Sequence, residues 1–339
     1  MKKYLKVSVL CVMVFALVAV MAGCGKKEKD EETQRYAWPL ATCSTTDTIT
    51  HVFASNFAEQ VGKLSDGKMK IQVYPQSTLG GDRELMESCK DGDIPFVVQS
   101  PAPQVSFMPK LCIFDAPCMF DNIEQARTSY TGEEFQNSVK NIYSDAGYQL
   151  LGLADQGFRV MTSNKSFDGL SFFRGQKIRT MENPYHIQFW KAVGANPTPM
   201  SFSEVYIGLQ QGTIDAQENA YSLIESARLY EQQKVIVETN AVPDYITLIA
   251  SDKFMAKRTK EEREIIMKAA EIAQKKAWDA ADKNREECKS RLEKDGMEVQ
   301  TIDEKSWAQM QKLSEPVYEN IKKTTGDRLF ELYSEGAKK

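Results

Sequence analysis

One order of elements occurs twice in this chain: an amphipathic helix, a glycine, one polar residue, an isoleucine and then a short β-rich run. The first copy passes through Gly92-Asp93-Ile94 into a strand at Ile94 to Val98, and the second passes through Gly212-Thr213-Ile214. A glycine placed there ends a helix, because it takes the left-handed backbone without a Cβ clash. Alternation of helix and strand builds α/β lobes, so two copies in different halves of the chain predict two lobes built alike.

The second copy is the more detailed. Ser201 and Glu204 form a capping box, which predicts a helix from Ser203 or just before, with Val205 and Leu209 on one face. Thr213 to Gln217 reads as a strand that leaves Glu218 and Asn219 at its exit. The first copy exits at Gln99-Ser100-Pro101. Polar side chains at strand ends in α/β units commonly face a ligand crevice. Upstream, Gly175 to Met181 reads as another short strand with Arg179 inside it, which suggests a fixed guanidinium for an anion.

The chain opens with Lys2, Lys3 and Lys6 before an apolar run from Val7 to Val20, then Met21-Ala22-Gly23-Cys24. This is a secretory leader, too short for a convincing membrane span. The small residues before Cys24 look like a bacterial lipobox, with Met21 where leucine is usual. Residues 1–23 are expected to be removed and Cys24 to carry lipid. Residues 24–34, heavily charged, read as a flexible tether. The exported chain then sits lipid-anchored on the outer face of the cytoplasmic membrane, periplasmic or at the cell surface. Loss of the leader's three lysines moves the formal charge from −4 to about −7. That argues against a nucleic-acid partner. Any anion site must be local.

Of the 7 cysteines, Cys11 and Cys24 belong to the leader and the lipid site. The other five lack metal-ligand spacing. Most are expected as buried free thiols, with a Cys112–Cys118 bridge the open alternative.

Further along, the expected elements are a first strand at Arg35 to Ala41, a polar loop from Thr42 to Thr48 facing ligand, and a helix capped by Asp47 or Thr48. The organisation expected is lobe 1 at 35–155, lobe 2 at 156–243, a return strand to lobe 1 at 244–258, a long helix at 259–296 and a helical segment at 297–339. The crossing between lobes is placed near Asp155. Thr259 and Glu262 form a second capping box, and the helix they start is long enough, at roughly 50 Å, to lie across both lobes.

Lys177-Ile178-Arg179, Val193 to Met200, Phe202 to Tyr206 and Leu209 to Asn219, with Tyr74-Pro75, Leu79-Gly80 and Gly157-Phe158-Arg159 in support, resemble the solute-binding proteins of tripartite ATP-independent periplasmic (TRAP) transporters, the DctP family. The likeness runs from about Arg35 to Leu332. It implies a two-lobed α/β binding protein, periplasmic-binding-protein-like, that closes on an organic acid and delivers it to membrane permease subunits, working as a monomer without cofactor or metal. It also implies that Arg179 clamps the substrate carboxylate, that Asn219 helps hold it, that Arg159 is a second, more variable arginine, and that Phe202 lies at the cleft wall. Gln99 and Ser100 fall at a ligand-facing position of lobe 1. Asn240-Ala241 departs from the family's Asn-His, and Asp244 and Tyr245 are expected to contribute to the pocket instead. Arginine suits such a clamp because its planar fork meets a carboxylate with two parallel charge-assisted hydrogen bonds.

Two other classes compete. An exported enzyme finds no support in His-Glu-x-x-His, Gly-x-Ser-x-Gly, P-loop or dinucleotide patterns. His51 and His186, the 2 histidines, read as surface or packing residues. A ligand-binding subunit of a membrane sensor would need the same closure and is not separated from transport by the sequence.

Overall fold

A computed structural model describes residues 36–338. The leader, Cys24 and most of the tether lie outside the described residues.

Two sheets organise the chain. The first has the order β2 (Ile71–Tyr74), β1 (Trp38–Ala41), β3 (Phe96–Gln99), β10 (Pro243–Ser251) and β4 (Tyr148–Phe158). Its first three strands are parallel, and β10 runs antiparallel to both β3 and β4. The second has the order β11 (Glu298–Thr301), β9 (Val235–Glu238), β5 (Val160–Ser163), β8 (Ala216–Asn219), β6 (Lys177–Thr180) and β7 (Asn196–Pro199). Strands β3, β9 and β10 are buried at every residue, as expected of strands covered on both faces.

The repeated grammar ends in these sheets. The helix Asp82–Asp91 stops at Gly92, whose φ of 91° is left-handed, and leads into β3. The capping box at Ser201 and Glu204 is formed, and a 3₁₀ turn leads into the helix Val205–Gln210. The strand that follows starts later than expected. Thr213 and Ile214 still donate their N–H groups to the Gly208 carbonyl, closing the helix, so β8 begins at Ala216. Glu218 and Asn219 therefore lie inside the ladder, with Asn219 opposite Val160.

The crossing between sheets also moves. Strand β4 continues past Asp155 to Phe158, which pairs with Pro243, and only Arg159 separates it from β5. The chain returns between β9 and β10. The two crossings are tied where the Arg159 N–H donates to the Val242 carbonyl at 2.9 Å. The segment after the long helix is not helical throughout: β11 adds in parallel to the edge of β9 before the last helices begin. The first strand starts at Trp38 rather than Arg35. Cys112 and Cys118 are separate buried thiols, as are Cys43, Cys89 and Cys288.

The long helix, Lys260–Lys294, spans 35 residues and starts with the Thr259–Glu262 capping box. Its Ile266, Ala269, Ala270, Ala273, Ala277 and Ala281 pack into one core with Phe53, Phe57 and Ile246 of the first sheet's layer. Its Cys288 and Leu292 pack into another with Val160, Leu209 and Ile236 around the second sheet. Alanines let it lie close to the helix Ile49–Leu64. The approach is also tight beneath it, where a Cβ on Gly152 would stand 2.8 Å from the Phe53 ring. Polar ties fix its position. Trp278 Nε1 donates to the Tyr130 hydroxyl, which donates to Asp155, while Arg127 bridges Asp155 and Asp282. Farther on, Lys289 Nζ meets Glu238 at 3.0 Å, and Arg291 pairs with Glu225.

Glu238 joins β9 to this helix. Burial raises its carboxyl pKa, but hydrogen bonds from Lys289 and Tyr221 outweigh that and hold it below the usual range. A carboxyl with a depressed folded pKa contributes stability above its unfolded value of ~4.3 and loses it as pH falls. Glu238→Gln is expected to lower unfolding stability by about 2 kcal/mol at neutral pH. Urea unfolding midpoints of variant and parent should converge below a pH of about 4; a gap unchanged with pH would contradict this assignment.

Candidate ligand-binding cleft between the sheets

Every strand that carries a predicted site residue ends at the gap between the two sheets. Arg179 sits in β6, opposite Gln217 of β8 and Thr198 of β7, so its backbone is fixed on both sides. Arg159 occupies the crossing itself. Gln99 ends β3, and Asp244 and Ile246 point from β10 into the same gap. The cavity left between the sheets is small, about 40 Å³, and is lined by Arg159, Arg179, Asn219 and Phe202 from one side and by Gln99, Ser100 and Asp82 from the other. Thr45 and Ser226 hydrogen-bond across the gap, so the two sides are closed upon each other.

The two arginines are equally buried and differently satisfied. Arg159 is 3% exposed. It pairs through Nε with Glu218, through Nη1 with Asp244 at 2.9 Å, and through Nη2 with Asn219 Oδ1 at 2.9 Å. Burial alone would lower its pKa, but Asp244 and Glu218 outweigh it and keep the guanidinium charged. Burial raises the pKa of the Asp244 carboxyl, and Arg159 offsets this only in part, the negative charge of Glu218 adding to the rise.

Arg179 is 2% exposed. Its Nε and Nη2 donate to the Met200 carbonyl at 3.1 and 2.9 Å, a neutral acceptor. Its Nη1 has no partner, and among the described residues no carboxylate forms an ion pair with it. Burial, and then the charge of Arg159, push its pKa down to about 10, so it remains a cation at neutral pH. The Phe202 ring lies 6.0 Å from its guanidinium carbon. A buried, charged fork with an unpartnered donor beside a cleft is chemically suited to an anion.

The remaining predicted residues divide. Gln99 is buried, and both ends of its amide lack a partner. Ser100 is half-buried and accepts from the Ala102 N–H. Asn219 lines the space, but its amide is spent on Arg159 and Gln217, so it braces the second arginine. Tyr245 lies beside the main cleft rather than in its lining. Side chains alternate along a strand. Asp244 and Ile246 therefore face the cleft, and Tyr245 turns away to bond Tyr333 at 2.7 Å and pack on Phe114 and Tyr130, touching only a smaller adjoining space.

Sequence reasoning missed Asp82, Thr50 and Gln156, which also line the cleft, and Glu218 as the partner of Arg159. Asp82 had a readable signal, since it opens a helix just after Gly80-Gly81 at the exit of a parallel strand. Burial raises its carboxyl pKa. A larger depression, about 590 Å³, lies on the outside between the long helix and β4. It lacks an unpartnered buried donor, so the cleft is the better candidate. Among the described residues, no three His, Cys, Asp or Glu side chains converge to hold a metal ion, and no helix is long and apolar enough to cross a membrane.

The contrast between the arginines is testable without knowing the ligand. Arg159→Met leaves Glu218 and Asp244 buried without their cation and is expected to cost ~3–5 kcal/mol. Arg179→Met removes an unpaired buried charge and should leave the melting temperature of the free protein equal to or above that of the parent. Equal destabilisation by both would show that Arg179, too, is held by the protein itself.

The family model described as bacterial extracellular solute-binding protein, family 7, matches residues 40–324. The chain is similar to the ectoine-binding periplasmic protein TeaA of Halomonas elongata, 32% identical over 238 residues, which is 70% of this chain and 69% of that relative. It is also similar to the 2,3-diketo-L-gulonate-binding periplasmic protein YiaO of Escherichia coli, 30% identical over 62% of this chain and 64% of the relative. Among solved structures, the sugar acid binding protein of Advenella mimigardefordensis in complex with galactonate superposes with a TM-score of 0.85 at 28% identity, covering 89% of this chain and 98% of that one. A TRAP periplasmic solute-binding protein of Polaromonas, bound to D-erythronate, gives 0.83 at 30% identity, covering 88% and 98%. The two-lobed architecture, the closed cleft and these matches lead to one conclusion: the chain belongs to the bacterial extracellular solute-binding protein family 7, the DctP family of TRAP transporter solute-binding proteins.

Proposed function

We propose that this protein binds a small organic acid by its carboxylate, between Arg179 and the opposite wall of the cleft, and delivers it to the membrane permease of a TRAP transporter. The observation that carries this reading is the unpartnered Nη1 of a buried, charged Arg179. A carboxylate would complete the fork left open beside the Met200 carbonyl. Ligands of the similar solved structures, galactonate, D-erythronate and succinate, all carry that group. The protein acts by stoichiometric, saturable binding rather than turnover. A thermal-shift screen of organic acids tests this, since a binder at one hundred times its Kd adds ~2.7 kcal/mol of stability. The shift should be lost in Arg179→Met; a binder whose shift survives that change would contradict the reading.

Lipid attachment at Cys24 completes the proposal, holding a monomeric carrier at the outer face of the cytoplasmic membrane within reach of its permease. The lipobox-like Met21-Ala22-Gly23-Cys24 supports it. Cys24→Ala is expected to move the protein from the membrane to the soluble fraction on cell fractionation, and unchanged membrane association would argue against the anchor.

A further inference from the structure

The cleft carries a charge inventory that narrows the ligand. Its two cations, Arg159 and Arg179, stand against three carboxyls, those of Asp82, Glu218 and Asp244. Arg159 is shared by Glu218 and Asp244 and has no uncompensated charge left to offer. Arg179 alone among the described cleft residues keeps an open donor on a cation without an ion-pair partner.

A ligand carboxylate therefore finds one receptor. A second carboxylate, placed farther along the cleft, would meet Gln99, Thr50 and Gln156, or the carboxyls of Asp82 and Asp244. None of these supplies a positive charge, and an ion brought there loses its water without gaining a counterion. Neutral hydroxyls suit the same wall. Each hydroxyl donates one hydrogen and accepts others. Asp82 and Asp244 are acceptors when ionised, and the Gln99 amide offers an acceptor and two donors, all unpartnered on a side chain only 3% exposed. A purely apolar acid would leave that amide buried and unsatisfied, which is costly in its own right.

We infer, building on the carboxylate reading above, that the ligand is a monocarboxylate whose remaining carbons bear hydroxyls, an acid of the aldonate type, and that the cleft rejects dicarboxylates. Arg179 takes the single charge. Gln99 and Asp82, from the opposite lobe, read the hydroxyls and act as the residues that set specificity.

The test is calorimetric titration of the purified protein with three matched series. Four- to six-carbon aldonates of several stereochemistries are compared with the aldarates that carry a second terminal carboxylate, and with unsubstituted alkanoates of equal length. At least one aldonate should bind roughly a hundredfold more tightly than its aldarate and its alkanoate. Gln99→Lys, which adds a cation on the far wall, should narrow the gap to the aldarate. An aldarate or succinate that binds as tightly as any aldonate, with binding lost in Arg179→Met, would overturn this inference and leave the carboxylate reading standing. An alkanoate binding as tightly as the aldonates would do the same. Binding in none of the series, or binding indifferent to Arg179→Met, would overturn the carboxylate reading itself.

Discussion

Burying a guanidinium is expensive unless something pairs with it, and this protein buries two within one cleft. One is neutralised internally: Arg159 draws Glu218 from β8 and Asp244 from β10, so a single cation binds strands of both sheets where the chain crosses. The other is left open. Arg179 rests on a neutral carbonyl and keeps a donor free. The difference between them is one of partners: Arg159 is ion-paired within the protein, and Arg179 is not.

The rest of the fold keeps those two side chains in place. Arg179 is in the middle of a ladder, its backbone braced by β7 and β8, and its fork is held by the Met200 carbonyl. The long helix joins the cores of both halves and is tied to Asp155 just before the crossing and to Glu238 just before the return. Only Arg159 and Thr239 to Val242 connect the two sheets along these passages, where neither sheet continues.

Much of this was legible in the residues, for identifiable reasons. Capping boxes at Ser201 and Thr259 and the glycine stop at Gly92 are local chemistry, and the chain formed them where sequence placed them. Strand limits were less so. The start of β8 depends on how long Gly208 goes on accepting hydrogen bonds, and the reach of β4 on its distant partner Pro243. The strand β11 was hidden because its only partner, β9, lies some sixty residues away in sequence. In the cleft, the strand that carries Arg179 was legible from the sequence. Glu218 as the counter-ion of Arg159 was not, since adjacency to Asn219 gives no hint of which way a strand residue faces until its register is known. The direction of Tyr245 was hidden for the same reason: one step along β10 separates the residues of the main cleft from Tyr245, which bonds Tyr333.

The most direct trial of the open-fork claim is a crystal structure of the protein with a carboxylate bound. The carboxylate is expected on Arg179, engaging Nη1, with Arg159 still paired to Glu218 and Asp244. A carboxylate seated on Arg159 after displacing either partner, or a ligand lodged away from both arginines, would contradict it.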